Sequence, residues 1–535
     1  MADTPTTRRM TPTGWSIRWD DAFARAAYAD GWWQSQTLGD ALRDAARDTP
    51  DRILLIDGEH CLTAAALHDQ ASRLAQAMLS RFAPGSAISF MLPNWHEAAI
   101  IYLGATLAGM VANPILPSLR DHDLRFILSD LDSRMIYIPA SFRGHDYAAM
   151  LARLLPALAA PPQVVVLRGE AEPHSAYADL LAEHHDIPLP TLDPDDVRMA
   201  MYTSGTTGRP KGVLHSHNSI NALIRQIGTY WLVEPGDRFL VPSPISHIGG
   251  AIYAFETPLL LGATAILMEH WNPDDAVRIM LDQGCTHMAG ATPFLQHLLA
   301  SARAAGTCLP DLKLFICGGA SVPPALIREA AEYFDRAIVT RVYGSTELPV
   351  TTIGVIDSDD GDHAAETDGR PGIATVRIAS DGEIRARGPQ MMVGYLHAED
   401  EDSAFDADGF YRSGDQGAWA DGDHLVVTGR IKDLIIRNGE NIAPKEIEDI
   451  LIAHPGIAEI AIVGIPDART GERAVAVVVP RGDAALDVPA LADFLAGHGV
   501  ARFKYPESVM LWDALPKNDA GKVLKAAIRA TLASG

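Results

Sequence analysis

Tyr202-Thr-Ser-Gly-Thr-Thr-Gly-Arg-Pro-Lys-Gly212 decides how this chain is read. Gly205, Gly208 and Gly212 free the backbone for tight turns and let N–H groups approach a ligand. Successive N–H groups in such turns form a concavity that binds anions. Thr203, Ser204, Thr206 and Thr207 add hydroxyl donors, and Lys211 adds a point charge suited to phosphate. The stretch reads as a triphosphate grip. It is not a Walker A loop, which runs G-x-x-x-x-G-K-S/T into a helix. Here Gly208 is followed by Arg209-Pro-Lys-Gly212, and Pro210 has no N–H to offer.

The chain around it has 535 residues, 47% hydrophobic and 21% charged. That is ordinary globular composition, with room for about two to four domains. The formal net charge of −24 argues against a nucleic-acid footprint, which needs a basic stripe. The densest acidic run, Glu399-Asp-Glu-Asp402, reads as a solvated loop. Cys61, Cys285, Cys308 and Cys317 lack C-x-x-C spacing, so zinc is not expected; each reads as a small buried apolar residue. Sparse cysteines fit a reducing compartment, and no apolar signal region follows Arg8-Arg9, so a cytoplasmic location is expected. The longest apolar stretch, Ala98 to Leu116, is interrupted by Gly104, Gly109, Asn113 and Pro114. It reads as a buried helix running into a strand, and no integral membrane segment is expected.

The early chain alternates strand and helix signals. Arg52-Ile-Leu-Leu-Ile56 stops at Asp57-Gly58, and Ala64 to Phe82 carries helical periodicity. Ala87 to Leu92, Met135 to Ile138 and Gln163 to Leu167 read as strands. The alternation predicts an α/β fold, with a large N-terminal body, residues 1–430, of several subdomains and layered, largely parallel sheets. Past residue 375 a hairpin signal appears around Ser380-Asp-Gly382. Beyond Gly429-Arg-Ile-Lys-Asp433, Pro444 opens a helix, Ala458 to Val463 and Ala474 to Val479 are strands, and Val488 to Ala496 is a helix. Residues 431–535 therefore read as a small α+β domain.

Other segments carry matching chemistry. In Tyr343-Gly-Ser-Thr-Glu347 an aromatic face can stack on a base, hydroxyls can donate to phosphate, and a carboxylate can hold Mg²⁺. Cys317-Gly-Gly-Ala-Ser321 carries a glycine pair, and Tyr411-Arg-Ser-Gly-Asp415 ends on an aspartate after glycine. Pro516-Lys-Asn-Asp-Ala-Gly-Lys522 ends on a lysine, and Pro242-Ser-Pro-Ile-Ser-His-Ile-Gly-Gly250 holds His247 before two glycines that allow close backbone approach.

These strings together resemble the adenylate-forming superfamily: acyl-CoA synthetases, firefly-type luciferases and peptide-synthetase adenylation domains. The resemblance runs over nearly the whole chain. It implies ATP, Mg²⁺ and CoA. It implies that Thr203, Ser204, Gly205, Thr206, Thr207, Gly208 and Lys211 hold phosphate, and that Gly319, Ala320 and Ser321 border adenine. Tyr343 would stack, with Gly344 and Ser345 beside the nucleotide, Thr346 on phosphate and Glu347 on the metal. Asp415 and Arg430 would hold ribose and phosphate. Lys432 takes the hinge position of a mobile C-terminal domain, and Lys522 the catalytic lysine's. His247 borders the acyl pocket, although Ser246 replaces the aromatic residue often found before it. Gly439 and Glu440 would flank the CoA tunnel. Leu92-Pro-Asn-Trp95, Pro114 to Arg120 and Ser141 to Tyr147 look like the branch acting on medium-chain and alicyclic acids, such as cyclohexanecarboxylate–CoA ligases. The expected partners are a small carboxylic acid, ATP and CoA, and the chain is compatible with a homo-oligomer. An adenylating enzyme that hands acyl-AMP to a carrier protein or an amine stays open as the alternative. An amino-acid substrate is disfavoured, because Val241 to Gly250 contains no acid to pair an ammonium.

Overall fold

A helix that is apolar on every side must be covered on every side. His96–Leu107 is such a helix, and each residue from Glu97 to Leu107 is buried. The computed structural model describes residues 7–203, 209–319, 322–437, 440–467, 469–482, 486–518 and 521–534. In it this helix packs on Ala64–Leu79, and one continuous core joins both helices to two sheets. Ile88, Phe90 and Ala112 come from one sheet; Leu55, Phe239, Val241 and Ala265 come from the other. The predicted helix-then-strand reading of Ala98 to Leu116 holds, since Val111–Pro114 is a strand.

The first sheet has eight strands, ordered Ser175–Ala176, Gln163–Leu167, Ser133–Pro139, Ala87–Phe90, Val111–Pro114, Val197–Thr203, Lys211–Ser216 and Gly394–Tyr395. The first six run parallel, and the last two join antiparallel. The second has seven, ordered Ile338–Val342, Leu314–Gly318, His287–Gly290, Arg238–Val241, Thr264–Leu267, Ile53–Asp57 and His60–Thr63; only the last pair is antiparallel. Both are covered by helices, as parallel sheets require. Next in the chain comes an antiparallel sheet of four strands, Thr375–Ile378, Glu383–Arg387, Tyr411–Ala420 and His424–Arg430. A single turn, Ile431–Asp433, separates it from a last sheet of five strands built on the long hairpin Ile457–Asp467 and Gly471–Pro480. The protein is thus an α/β molecule with a large body of parallel sheets and a smaller C-terminal part.

Two sequence expectations are corrected. Cys285 and Cys317 are buried, but Cys61 and Cys308 are exposed. Cys61 lies on the edge strand His60–Thr63, whose first two residues are exposed. The run Glu399-Asp-Glu-Asp402 is not a solvated loop throughout, because Asp400 and Glu401 are buried against arginines. No described helix is long and apolar enough to cross a membrane.

The core also holds a buried ion pair. Arg198 and Glu256 are each 1% exposed. Arg198 Nη2 donates to Glu256 Oε2 at 3.0 Å, and Tyr102 accepts from Arg198 Nη1 at 2.8 Å while donating to Glu256. Glu256 closes a π-helical turn, Ile252–Glu256, in which the chain must otherwise leave an irregular ladder. Removing one partner leaves an uncompensated charge in the core. Glu256→Ala is expected to destabilise by about 3–5 kcal/mol, read as a shift of the first urea-unfolding transition to lower denaturant.

Candidate active site

Val241, Gly290, Gly318 and Val342 end four neighbouring parallel strands on one edge of the second sheet. Open α/β sheets gather ligands at that edge. Gly319 and Tyr343 follow directly. Ala320 and Ser321 lie outside the described residues, as do Ser204, Gly205, Thr206, Thr207, Gly208 and Gly439. Gly344 has a steric reason: a Cβ there would lie 2.6 Å from the Val350 nitrogen.

Tyr343 is held at both ends. Its backbone N–H donates to Thr352 Oγ1 at 2.8 Å, and its hydroxyl donates to Asp415 Oδ2 at 2.8 Å. Burial and the neighbouring carboxylate push that hydroxyl far above its ordinary range, so it stays a donor. Asp415 lies opposite Arg430 in the register of the antiparallel sheet, and Arg430 Nε reaches Asp415 Oδ1 at 2.9 Å. Burial works against the Arg430 charge, but Asp415, together with Tyr343, Asp433 and Tyr411, outweighs it and holds the guanidinium protonated.

Thr203 pairs with Lys211 in antiparallel register, which brings together the two ends of the glycine-rich stretch. Thr203 Oγ1 lies 3.5 Å from Glu347 Oε1, which also accepts from the Tyr395 hydroxyl at 3.1 Å. Glu347 is buried, and among the described residues both bonds fall on one carboxylate oxygen. Thr346 is anchored through its carbonyl, which accepts from His215 Nε2 at 2.7 Å. Ser345 and Leu348 exchange hydrogen bonds across the turn.

Lys522 reaches this edge from the C-terminal segment. Asn518 Oδ1 accepts its backbone N–H at 2.8 Å, and the Asn518 N–H donates to the Lys522 carbonyl at 2.9 Å. Gly521 sits against Pro293 of the N-terminal body. Solvent still reaches Lys522, while chain from both parts lies around its ammonium. That crowding, with Arg430 and Lys432 adding positive charge, pushes it down to about 8. Lys432 itself is lowered, first by desolvation and then by Arg430. Its position is the single turn between the last two sheets. Glu440 is exposed and lies across from Arg437 in a short hairpin.

His247 is half-buried at the start of the helix Ile248–Ala251. The close approach expected there occurs: a Cβ on Gly250 would lie 2.1 Å from the Pro244 carbonyl oxygen.

Three contributors escaped sequence reading. His215, Tyr395 and Asp400 reach the site from positions 131, 48 and 191 residues away from their partners. No local spacing carries such contacts. Two further groups of acids and histidines, Asp57/His96/Glu97 and Asp360/His363/His424, each hold an arginine. Arg168 bonds Glu97 and Asp57, and Arg370 Nε donates to His424 Nε2 at 3.0 Å.

The comparisons with known proteins point one way. A family model described as AMP-binding enzyme matches residues 42–396, and one described as AMP-binding enzyme C-terminal domain matches residues 446–522. A medium-chain fatty-acid–CoA ligase of Escherichia coli (strain K12) is 33% identical over 94% of this chain and 92% of its own length. A 2,3-dihydroxybenzoate-AMP ligase of Bacillus subtilis (strain 168) is 29% identical over 96% of both chains. The crystal structure of ATP-bound MatB from Rhodopseudomonas palustris superposes with a TM-score of 0.83 at 27% identity, covering 93% of this chain and 99% of that one.

Burial pushes the His215 imidazole down to about 4, so it stays neutral while holding Thr346. An unfolded histidine titrates near about 6.5. Between those values the unfolded chain takes up a proton that the folded chain refuses, so His215 costs stability progressively as pH falls from about 6.5 toward about 4. The thermal midpoint of His215→Gln, which keeps an N–H for the carbonyl, is expected to fall less steeply across that window than the wild type's.

Proposed function

Because the chain belongs to the AMP-binding enzyme family and is an AMP-forming acid–thiol ligase, we propose that it activates a hydrophobic carboxylic acid, medium-chain or alicyclic, through acyl-AMP. ATP, CoA and a small-molecule acid are its substrates. In the first half-reaction a carboxylate oxygen attacks the α-phosphorus of ATP, and pyrophosphate leaves. In the second the CoA thiolate attacks the acyl carbonyl, and AMP leaves.

The observation that carries this reading is the convergence of Lys522, from the far end of the chain, on Asp415 and Arg430. Two anions must meet for adenylation, and a cation between them stabilises the charge that builds on the phosphate oxygens. Asp415 accepts the ribose hydroxyls, Arg430 faces ribose and phosphate, and Tyr343 lies against adenine beside Gly319, Ala320 and Ser321. Lys211 and the glycine-rich stretch from Thr203 to Gly208 take the outer phosphates. Thr346 donates to the α-phosphate. The donor set at Glu347 fits Mg²⁺: a carboxylate with one oxygen bound by hydroxyls, next to the phosphate stretch, suits an ion that takes one or two carboxylates plus phosphates. When bound, that ion neutralises charge on the phosphates.

His247 borders the acid, and the segments around Tyr230, Phe294 and Gly318 line the acyl pocket. Residues 1–430 and 431–535 act as two domains. For the second half-reaction the smaller one turns about Lys432, withdraws Lys522 and brings Gly439 and Glu440 to the thiol path, a hinge-type switch.

Pyrophosphate release with ATP and Mg²⁺ across a panel of acids, with and without CoA, tests the reading. Medium-chain or cyclohexane acids are expected to give CoA-dependent turnover and acyl-CoA. Acyl-AMP formed without any effect of CoA would reject thiol transfer in favour of a carrier protein or an amine. Lys522→Ala is expected to slow acyl-AMP formation by about 100-fold and to spare thioester formation from supplied acyl-AMP. Equal damage to both halves would reject its role. The ammonium loses its charge as pH rises through about 8, so kcat/KM for adenylation, which reports the free enzyme, should fall above that pH. Lys522→Arg, always charged, should lack that falling limb.

A further inference from the structure

The buried acids of the run Glu399-Asp-Glu-Asp402 face two ways. Glu401 meets Arg8 at 2.6 Å and Arg18 at 3.4 Å, and accepts the Tyr395 N–H at 3.0 Å. This ties the run to the N-terminal hairpin Thr7–Met10 and Ser16–Trp19. Asp400 turns toward the glycine-rich stretch. Arg209 Nη2 lies 3.0 Å from both of its carboxylate oxygens. Lys211 Nζ lies 3.6 Å from Asp400 Oδ1 and donates to the Asp400 carbonyl at 3.4 Å. The Tyr395 ring centroid is 5.0 Å from the same ammonium. Asp130 clamps both sides of this assembly, accepting the Tyr202 hydroxyl at 2.8 Å and meeting His397 Nε2 at 2.8 Å.

We infer that Asp400 is a positioning residue for the nucleotide: it holds Arg209 and Lys211 in place before ATP arrives. The inference rests on the ligase reading and deepens it. Long cationic side chains lose rotamer freedom when they bind phosphate. A buried carboxylate between two of them imposes that loss in advance, and binding is then tighter for the same contacts. One carboxylate faces two cations, so one positive charge remains for the phosphates. Asp400 thus orders both cations while neutralising only one of their two charges.

Asp400→Asn keeps the volume and removes the charge. The KM for ATP is expected to rise about tenfold, the scale of one lost charge-assisted hydrogen bond. The kcat should stay within about twofold and the KM for the acid should not move, the pattern of lost substrate binding alone. Asp400→Glu should recover most of the loss. Lys211→Ala, measured beside it, keeps the two readings apart. If Lys211→Ala leaves the KM for ATP unchanged, the stretch does not hold phosphate and the ligase reading of the site fails. If Lys211→Ala raises it but Asp400→Asn leaves it unchanged or lowers it, the positioning role alone is overturned. A lower kcat and thermal midpoint with an unmoved KM for ATP would make Asp400 a structural strut, which overturns it too. Should Asp400→Asn fail to fold, Asp400→Ser removes the same charge while leaving both cations present, and must raise the KM for ATP with kcat retained.

Discussion

One carboxylate, Asp415, accepts the hydroxyl of Tyr343 at 2.8 Å and faces the guanidinium of Arg430 at 2.9 Å. Those two bonds join the end of a parallel strand to an antiparallel sheet that begins more than thirty residues later. Arg430 is the last residue of its strand, so the same contact sets where the single turn Ile431–Asp433 leaves and where the last sheet starts. It also sets the field that Lys522 feels, since Arg430 and Asp415 are its foremost charged neighbours. A shift of Asp415 would therefore be felt in three sheets and in the approach of the C-terminal segment.

The molecule carries a net charge of −24, yet this edge gathers cations: Arg209, Lys211, Arg430, Lys432 and Lys522. Local arrangement, not net charge, decides what such a site attracts. Asp400 and Asp415 are the counterweights. Each is buried, each meets a guanidinium, and each leaves positive charge nearby uncompensated. Cations kept close together repel one another, and the lowered Lys522 and Lys432 ammoniums reflect that repulsion after the larger effect of desolvation. A polyphosphate would relieve it.

Much of the scaffold was readable from local pattern. The apolar run Ala98 to Leu116 had to be buried on all sides, and it lies between the sheets. The hairpin around Ser380-Asp-Gly382 forms with antiparallel register, as its turn chemistry demands. The expectations that failed concern environment. Nothing in Glu399-Asp-Glu-Asp402 says which acids meet an arginine from the N-terminus and which meet one from the glycine-rich stretch. Nothing in the spacing of four cysteines says that Cys61 lies on a sheet edge.

By itself the sequence determined which residue types stand ready: glycines and hydroxyls beside Lys211, a carboxylate at Glu347, an aromatic at Tyr343 and a lysine at Lys522. It could do so because backbone freedom, hydroxyl donors and charge belong to residues in short order along the chain. Tertiary structure alone decided that the carboxyl ends of four parallel strands meet one edge, that Tyr395 and His215 brace Glu347 and Thr346, and that Asp400 holds the cations of the glycine-rich stretch. Those contacts span 48 to 191 residues. Their partners are chosen by how sheets stack and strands register, which no local pattern encodes.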